Sequence, residues 1–279
     1  MTSNPISIGY SPCPNDTYIF NALAHGLIKT PLAFAEPVLA DVEELNQRAM
    51  RQDLDVTKLS FHALGHLLDH YVLLSAGAAL GRGCGPLLVS RDQDFAPSPG
   101  ARIAIPGKYT TAALLLGLYL PEAVETVAMR FDGIMAAVAS GEVDAGVIIH
   151  EGRFTYRKQG LACLQDLGQW WEETTGFPIP LGCIAAHKRL GMDRIREVNR
   201  AIRASLLWMR DHPQAGREYI RAHAQEMDEK VLDSHIQLYV NDFSVELADE
   251  GIGAVQELLR RGWQQNLFAG RQELTWVRE

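Results

Sequence analysis

Along the first two thirds of the chain, short apolar runs alternate with segments in which apolar residues recur every three or four positions. "ISIGYS" (6–11) reads as a strand and "NDTYIFNALAHGL" (15–27) as a helix. "LAFAEPVL" (32–39) is extended, with Pro37 marking an edge or an irregularity. "DVEELNQRAM" (41–50) opens with Asp41 and Glu44 at capping-box spacing and reads as a helix. "DVTKLSF" (55–61), "YVLLSAG" (71–77) and "GPLLVSR" (85–91) are further strands. A polar, Pro-rich break at 92–101, "DQDFAPSPGA", leads into a second unit with the same rhythm. There "ARIAIPG", "ETVAMRF" and "DAGVIIH" are strands, and "TTAALLLGLYL" and "DGIMAAVASGE" are helices; "PLGCIAAHK" (180–188) is one more strand. After about residue 193 every periodic segment is helical.

Strand–helix alternation predicts α/β units with parallel sheets. A helical tail after two such units suggests a chain that crosses back onto the first. The expected organisation is residues 1–90 plus 190–279 as one domain and 91–189 as the other. Ligands of open parallel sheets sit beyond the carboxyl ends of the strands. Five unusual loops follow predicted strands: "SPCPND", the "TKLS" end with Lys58, Leu59 and Ser60, "GAALGRGCGP", "PGKYTT" and "HEGRFTY". Together they predict one interdomain cleft.

Composition narrows the class. The 279 residues carry a formal charge of −8, against a general nucleic-acid binder, which needs a basic face. The start lacks a basic region followed by an apolar core, and no apolar run reaches the length of a membrane span, so the expectation is a cytoplasmic protein. Cys13, Cys84, Cys163 and Cys183 form no CxxC pair and fit reduced thiols.

Each loop has a chemical and a plain reading. "PGKYTT" fails the phosphate-loop pattern, because Arg102 stands where a glycine is required and Tyr109 follows Lys108. It reads better as a helix N-terminus where Thr110 and Thr111 hold an anion, against simple N-capping by one hydroxyl. In "GAALGRGCGP" the glycines permit close approach to a ligand or a hinge, and Arg82 is the candidate carboxylate partner. His62, His66 and His70 are spaced four apart on one helical face, but the HExxH glutamate is missing, and a solvated or partly buried histidine row is favoured over a metal site. Cys13, between two prolines, reads as a buried thiol before it reads as a nucleophile. His150 ends a strand in the expected cleft, as a base or as a ligand-orienting donor. Glu151 would point to the other side.

In this order, "SPCPNDTYIF", "TKLS", "ALGRGCGP", "PGKYTT" and "IIHEGRFTY" resemble the 1,4-dihydroxy-6-naphthoate synthase family, from about Ile8 to the last long helix. "YVNDFSVELADEG" (239–251) resembles its C-terminal helix pair. The resemblance implies a two-domain fold like type II periplasmic solute-binding proteins, with a helical C-terminal part. It implies a lyase that cleaves cyclic dehypoxanthine futalosine in menaquinone biosynthesis, acting on a small molecule as a homodimer without metal or redox cofactor. It also implies His150 as catalytic base and Lys58, Leu59, Ser60, Thr110 and Thr111 as substrate contacts. Phe61 departs from the hydroxylated aromatic expected there, and Cys84 from a small apolar residue. The competing expectations are a solute-binding or sensor protein on the same fold, and a chorismate dehydratase.

Overall fold

The computed structural model describes residues 4–120, 124–224, 228–268 and 273–278. Its strands in chain order are β1 (Ile8–Tyr10), β2 (Val38–Leu39), β3 (Val56–Ser60), β4 (Tyr71–Leu73), β5 (Ala79–Gly81), β6 (Leu87–Ser90), β7 (Arg102–Ile105), β8 (Glu125–Ala128), β9 (Ala145–Ile148), β10 (Ala162–Asp166) and β11 (Ile179–His187). Its helices are α1 (Pro14–Ala24), α2 (Val42–Met50), α3 (Phe61–His66), α4 (Thr111–Tyr119), α5 (Ile134–Ser140), α6 (Gly152–Thr155), α7 (Leu167–Thr175), α8 (Met192–Asp211), α9 (Arg217–His223), α10 (Glu229–Tyr239), α11 (Asp242–Val245) and α12 (Ala248–Gln264).

Among the described residues the strands form two sheets, one per lobe. The first runs β2-β1-β3-β11-β4, with β5 also on β11; the second runs β10-β6-β9-β7-β8. The sheets are mixed, which corrects the expectation of parallel sheets. β11 is antiparallel to β3, β4 and β5, and β6 is antiparallel to β9 and β10. β6 and β11 are the strands on which the chain changes lobes, so each enters its sheet from the opposite end. The expected boundaries at 90 and 190 shift accordingly: β6 pairs in the second sheet and β11 in the first. Apolar runs identify both as strands, but periodicity carries no record of pairing partners. β10 and α7, in a stretch without clear alternation, were not foreseen.

Local chemistry explains the main elements. Asp41 caps α2 by accepting from the amides of Glu43 and Glu44, and Thr110 caps α4 by accepting from Ala113. α4, "TAALLLGLY", is apolar nearly all round because it is enclosed by α3, α7, α12, β9 and β11. The long amphipathic α8 covers the first sheet and packs on α1, with Ile195, Val198, Ile202 and Leu206 buried. One apolar cluster joins both lobes, containing Leu59, Leu73 and Cys183 of the first sheet with Leu88, Ile103 and Val147 of the second.

The glycine-rich crossover is built for backbone contact. A Cβ on Gly85 would lie 2.3 Å from the Cα of Gly168, so the two passing segments touch main chain to main chain. Arg153 Nη1 donates to Gly85 O at 2.7 Å and its Nη2 pairs with Asp166, which also caps α7.

Candidate functional site

Residues from the first turns of α1, α2 and α4 gather beside the end of β9. Two adjoining cavities lie there. The larger, of about 270 Å³, is lined by Cys13, Asp41, Glu44, Arg130, Phe131 and Glu151 among others. The smaller, of about 90 Å³, is lined by Asp16, Lys58, Ser60, Thr110, Thr111 and Tyr239 among others. His150, His235 and Val42 belong to the walls of both.

His150 follows β9 in a left-handed conformation, φ 55°. A β-carbon costs about 1 kcal/mol there, although histidine tolerates it better than most residues. The turn swings the imidazole out of the strand direction and across the interlobe gap, where Nδ1 lies 3.6 Å from Cys13 Sγ. Phe131 packs against the ring at 5.0 Å and His235 lies parallel to it at 6.0 Å. Burial opposes the charged imidazolium, but attraction from Cys13 by charge and hydrogen bond, with Glu151 and Asp16 behind it, outweighs burial and raises the pKa to about 9. The cysteine that read first as an inert thiol is therefore the nearest partner of the strand-end histidine. Their contact spans 137 positions of sequence, which no local pattern records.

Lys58 and Ser60 line the smaller cavity, and alternation along β3 turns Leu59 into the core, with no exposed surface. Leu59 therefore does not present its side chain to the cavity. Lys58 Nζ donates to Asp16 Oδ1 at 2.7 Å; both side chains are buried. Asp16 Oδ2 accepts from the amide and hydroxyl of Ser11 at 3.1 and 2.7 Å, and Oδ1 also accepts from Asn15 Nδ2 at 2.9 Å. This carboxylate is fully engaged, as a buried charge requires.

Thr110 and Thr111 line the smaller cavity, but their hydroxyl protons are already donated, to Gly107 O at 2.8 Å and to Leu181 O at 2.5 Å. What α4 offers a ligand is the first-turn amides of Thr111 and Ala112, which have no partner within the helix. The "PGKYTT" loop is fastened from the other lobe. Tyr109 N donates to both oxygens of Glu43, and Tyr109 O accepts from Asn46. Gly107 adopts φ +140°, and a Cβ on it would stand 2.5 Å from Glu43 Cδ. Burial pushes the Glu43 carboxyl upward against these hydrogen bonds.

Two expectations are corrected. Arg82 lines neither cavity: half exposed, it bonds Gly176 O and Glu250 at 3.0 Å each and stabilises the crossover. A strand-end arginine looks identical in sequence whether it faces a cleft or a hinge. The His62, His66 and His70 row is split, because α3 ends at His66. His62 contacts Thr110 O, His62 and His66 pack with Tyr109 and Phe268, and His70 stacks near His187. Among the described residues no group of three His, Cys, Asp or Glu is placed to hold a metal, and no helix is long and apolar enough to cross a membrane.

His235, Asn15, Glu43 and Asn46 were missed as site residues. His235 sits on α10 with no neighbouring motif, and only the packing of α10 on α1 and β5 brings it to the cleft.

Two mixed sheets flanked by helices place the molecule in the class of periplasmic-binding-protein-like folds. The periplasmic aliphatic sulphonate binding protein of Escherichia coli shares the fold at a TM-score of 0.66 with 13% identity, covering 100% of this chain and 95% of that one. A crystal structure of a protein from Archaeoglobus fulgidus matches with a TM-score of 0.89 and 36% identity, covering 96% of this chain and 100% of that one. The family described as "Menaquinone biosynthesis" matches residues 6–264. The 1,4-dihydroxy-6-naphthoate synthase of Thermus thermophilus is 47% identical over 264 residues, 95% of this chain and 96% of that protein. The enzyme of the same name from Streptomyces coelicolor is 46% identical over 272 residues, 96% of each. The chain belongs to this family of menaquinone-biosynthesis enzymes.

Proposed function

We propose that the protein is a lyase that cleaves cyclic dehypoxanthine futalosine to 1,4-dihydroxy-6-naphthoate, with His150 as general base in the interlobe cleft. The observation that carries this reading is the position of His150, in the shared wall of two cavities of different chemistry. The carboxylate of the bicyclic part enters the smaller cavity, facing Lys58 and the first-turn amides of α4. The sugar-derived ring occupies the larger one. Neutral His150 takes a hydroxyl proton of the sugar-derived ring; that oxygen becomes a carbonyl of the released fragment as the carbon–carbon bond to the bicyclic part breaks, and the bond's electron pair passes to a ring carbonyl, which becomes a hydroxyl as the ring turns aromatic. Aromatisation supplies the driving force. Closure of the lobes keeps water from the intermediate.

The test is incubation of the purified protein with cyclic dehypoxanthine futalosine, with the naphthoate followed by absorbance and mass. His150→Ala should retain the fold and substrate binding while kcat falls by about 10²–10⁴-fold, the range of general base catalysis. Near-wild-type turnover by that variant overturns the assignment of the base.

A further inference from the structure

His235 lies outside the motifs that carry the family resemblance, yet it is 1% exposed and borders both cavities. Its neighbours fix its tautomer. The Asp16 carboxylate only accepts, so the group of Asn15 that faces it at 2.9 Å is the amide nitrogen. Asn15 Oδ1 therefore faces His235 Nε2, at 3.1 Å. An amide oxygen also only accepts, so Nε2 carries the imidazole proton. Nδ1 is left as a bare lone pair. Burial, with His150 and Lys58 nearby, keeps the ring neutral, its pKa lowered to about 3. Among the described residues Nδ1 has no hydrogen-bond partner, and it lies 4.0 Å from Glu151 Oε2. Two acceptors set against each other in a buried place are costly unless a donor satisfies them.

We propose that His235 is a substrate-contacting residue whose Nδ1, with Glu151 Oε2 beside it, accepts hydrogen bonds from neighbouring hydroxyls on the sugar-derived ring of the substrate. This assignment rests on the lyase reading above. The two acceptors suit a vicinal diol, one O–H to each. His235 comes from the first lobe and Glu151 from the second, so the diol is gripped only when the lobes are together. The Glu151 side chain keeps 22% exposure and can turn aside to admit the ligand. A diol held there lies beside the His150 ring, which is parallel to that of His235 within 8°. The pair thus orients the sugar-derived ring for proton removal; the base itself remains His150.

Two variants of the full chain separate the acceptor from mere packing. His235→Asn puts an amide oxygen near the Nδ1 position and should keep kcat/KM for cyclic dehypoxanthine futalosine within about tenfold of wild type. His235→Gln keeps a donor for Asn15 but lacks the acceptor, and its KM should rise by about tenfold to hundredfold. Equal losses in both variants, each melting at the wild-type temperature, overturn the proposal. Imidazole ¹⁵N NMR provides a measurement on the native residue. In His150→Ala protein, Nδ1 of His235 should report a bare nitrogen when free and a hydrogen-bonded one when saturated with substrate. An unchanged resonance in the complex overturns the assignment even where wild-type turnover upholds the lyase reading. Absence of wild-type turnover overturns that reading, and this assignment with it.

Discussion

At the scale of single residues, the site is governed by which groups face one another across the cleft. Cys13 and His150 come from different lobes, and their approach raises the affinity of the imidazole for a proton. As the proposed base, His150 must be neutral to act, so kcat/KM should climb as pH rises from 7, pass its midpoint near pH 9 and level off only above that. Cys13→Ala removes the largest opposing influence to burial, so the climb should move to lower pH; profiles of both proteins across pH 5–10 check this. A coincident limb in the variant refutes the role given to Cys13. The sequence made His150 conspicuous because a titratable group ended an apolar strand. It left Glu151 ambiguous, since strand alternation does not continue through a left-handed turn. The pairing of Cys13 with His150, and of His235 with Asn15, rests on contacts between residues 137 and 220 positions apart.

At the scale of elements, helix starts were legible and their targets were not. Asp41 and Thr110 announce α2 and α4 by capping chemistry that is local. Nothing local says that Glu43, in the first turn of α2, fastens the loop before α4 from the opposite lobe. Glu43→Gln replaces one acceptor oxygen by a donor that faces the Tyr109 amide, so α4 should lose its fixed position. We expect kcat/KM to fall by about tenfold or more with little change in melting temperature, measured by steady-state kinetics and thermal denaturation in parallel. α4 also ties the lobes through its apolar surface. Leu115 is fully buried in the shared cluster, and Leu115→Ala should cost about 2–5 kcal/mol in urea unfolding.

At the scale of the whole molecule, two sheets share one apolar cluster, so the lobes should not melt separately. Far-UV circular dichroism and the fluorescence of the five tryptophans should give one coincident unfolding transition. Separated midpoints would show the lobes to be independent. The amino-acid order by itself determined the α/β class, most strands and helices and the helical C-terminal part. Those features follow from periodicity, capping and turn chemistry, which act within a few residues. Only the tertiary structure decided that β6 and β11 exchange lobes and run against their neighbours, and that Arg82 belongs to the crossover. It alone brought His235 from α10 to the side of His150. Each of these depends on which surfaces meet when the core closes, and a periodic pattern specifies that a face is buried without naming what buries it.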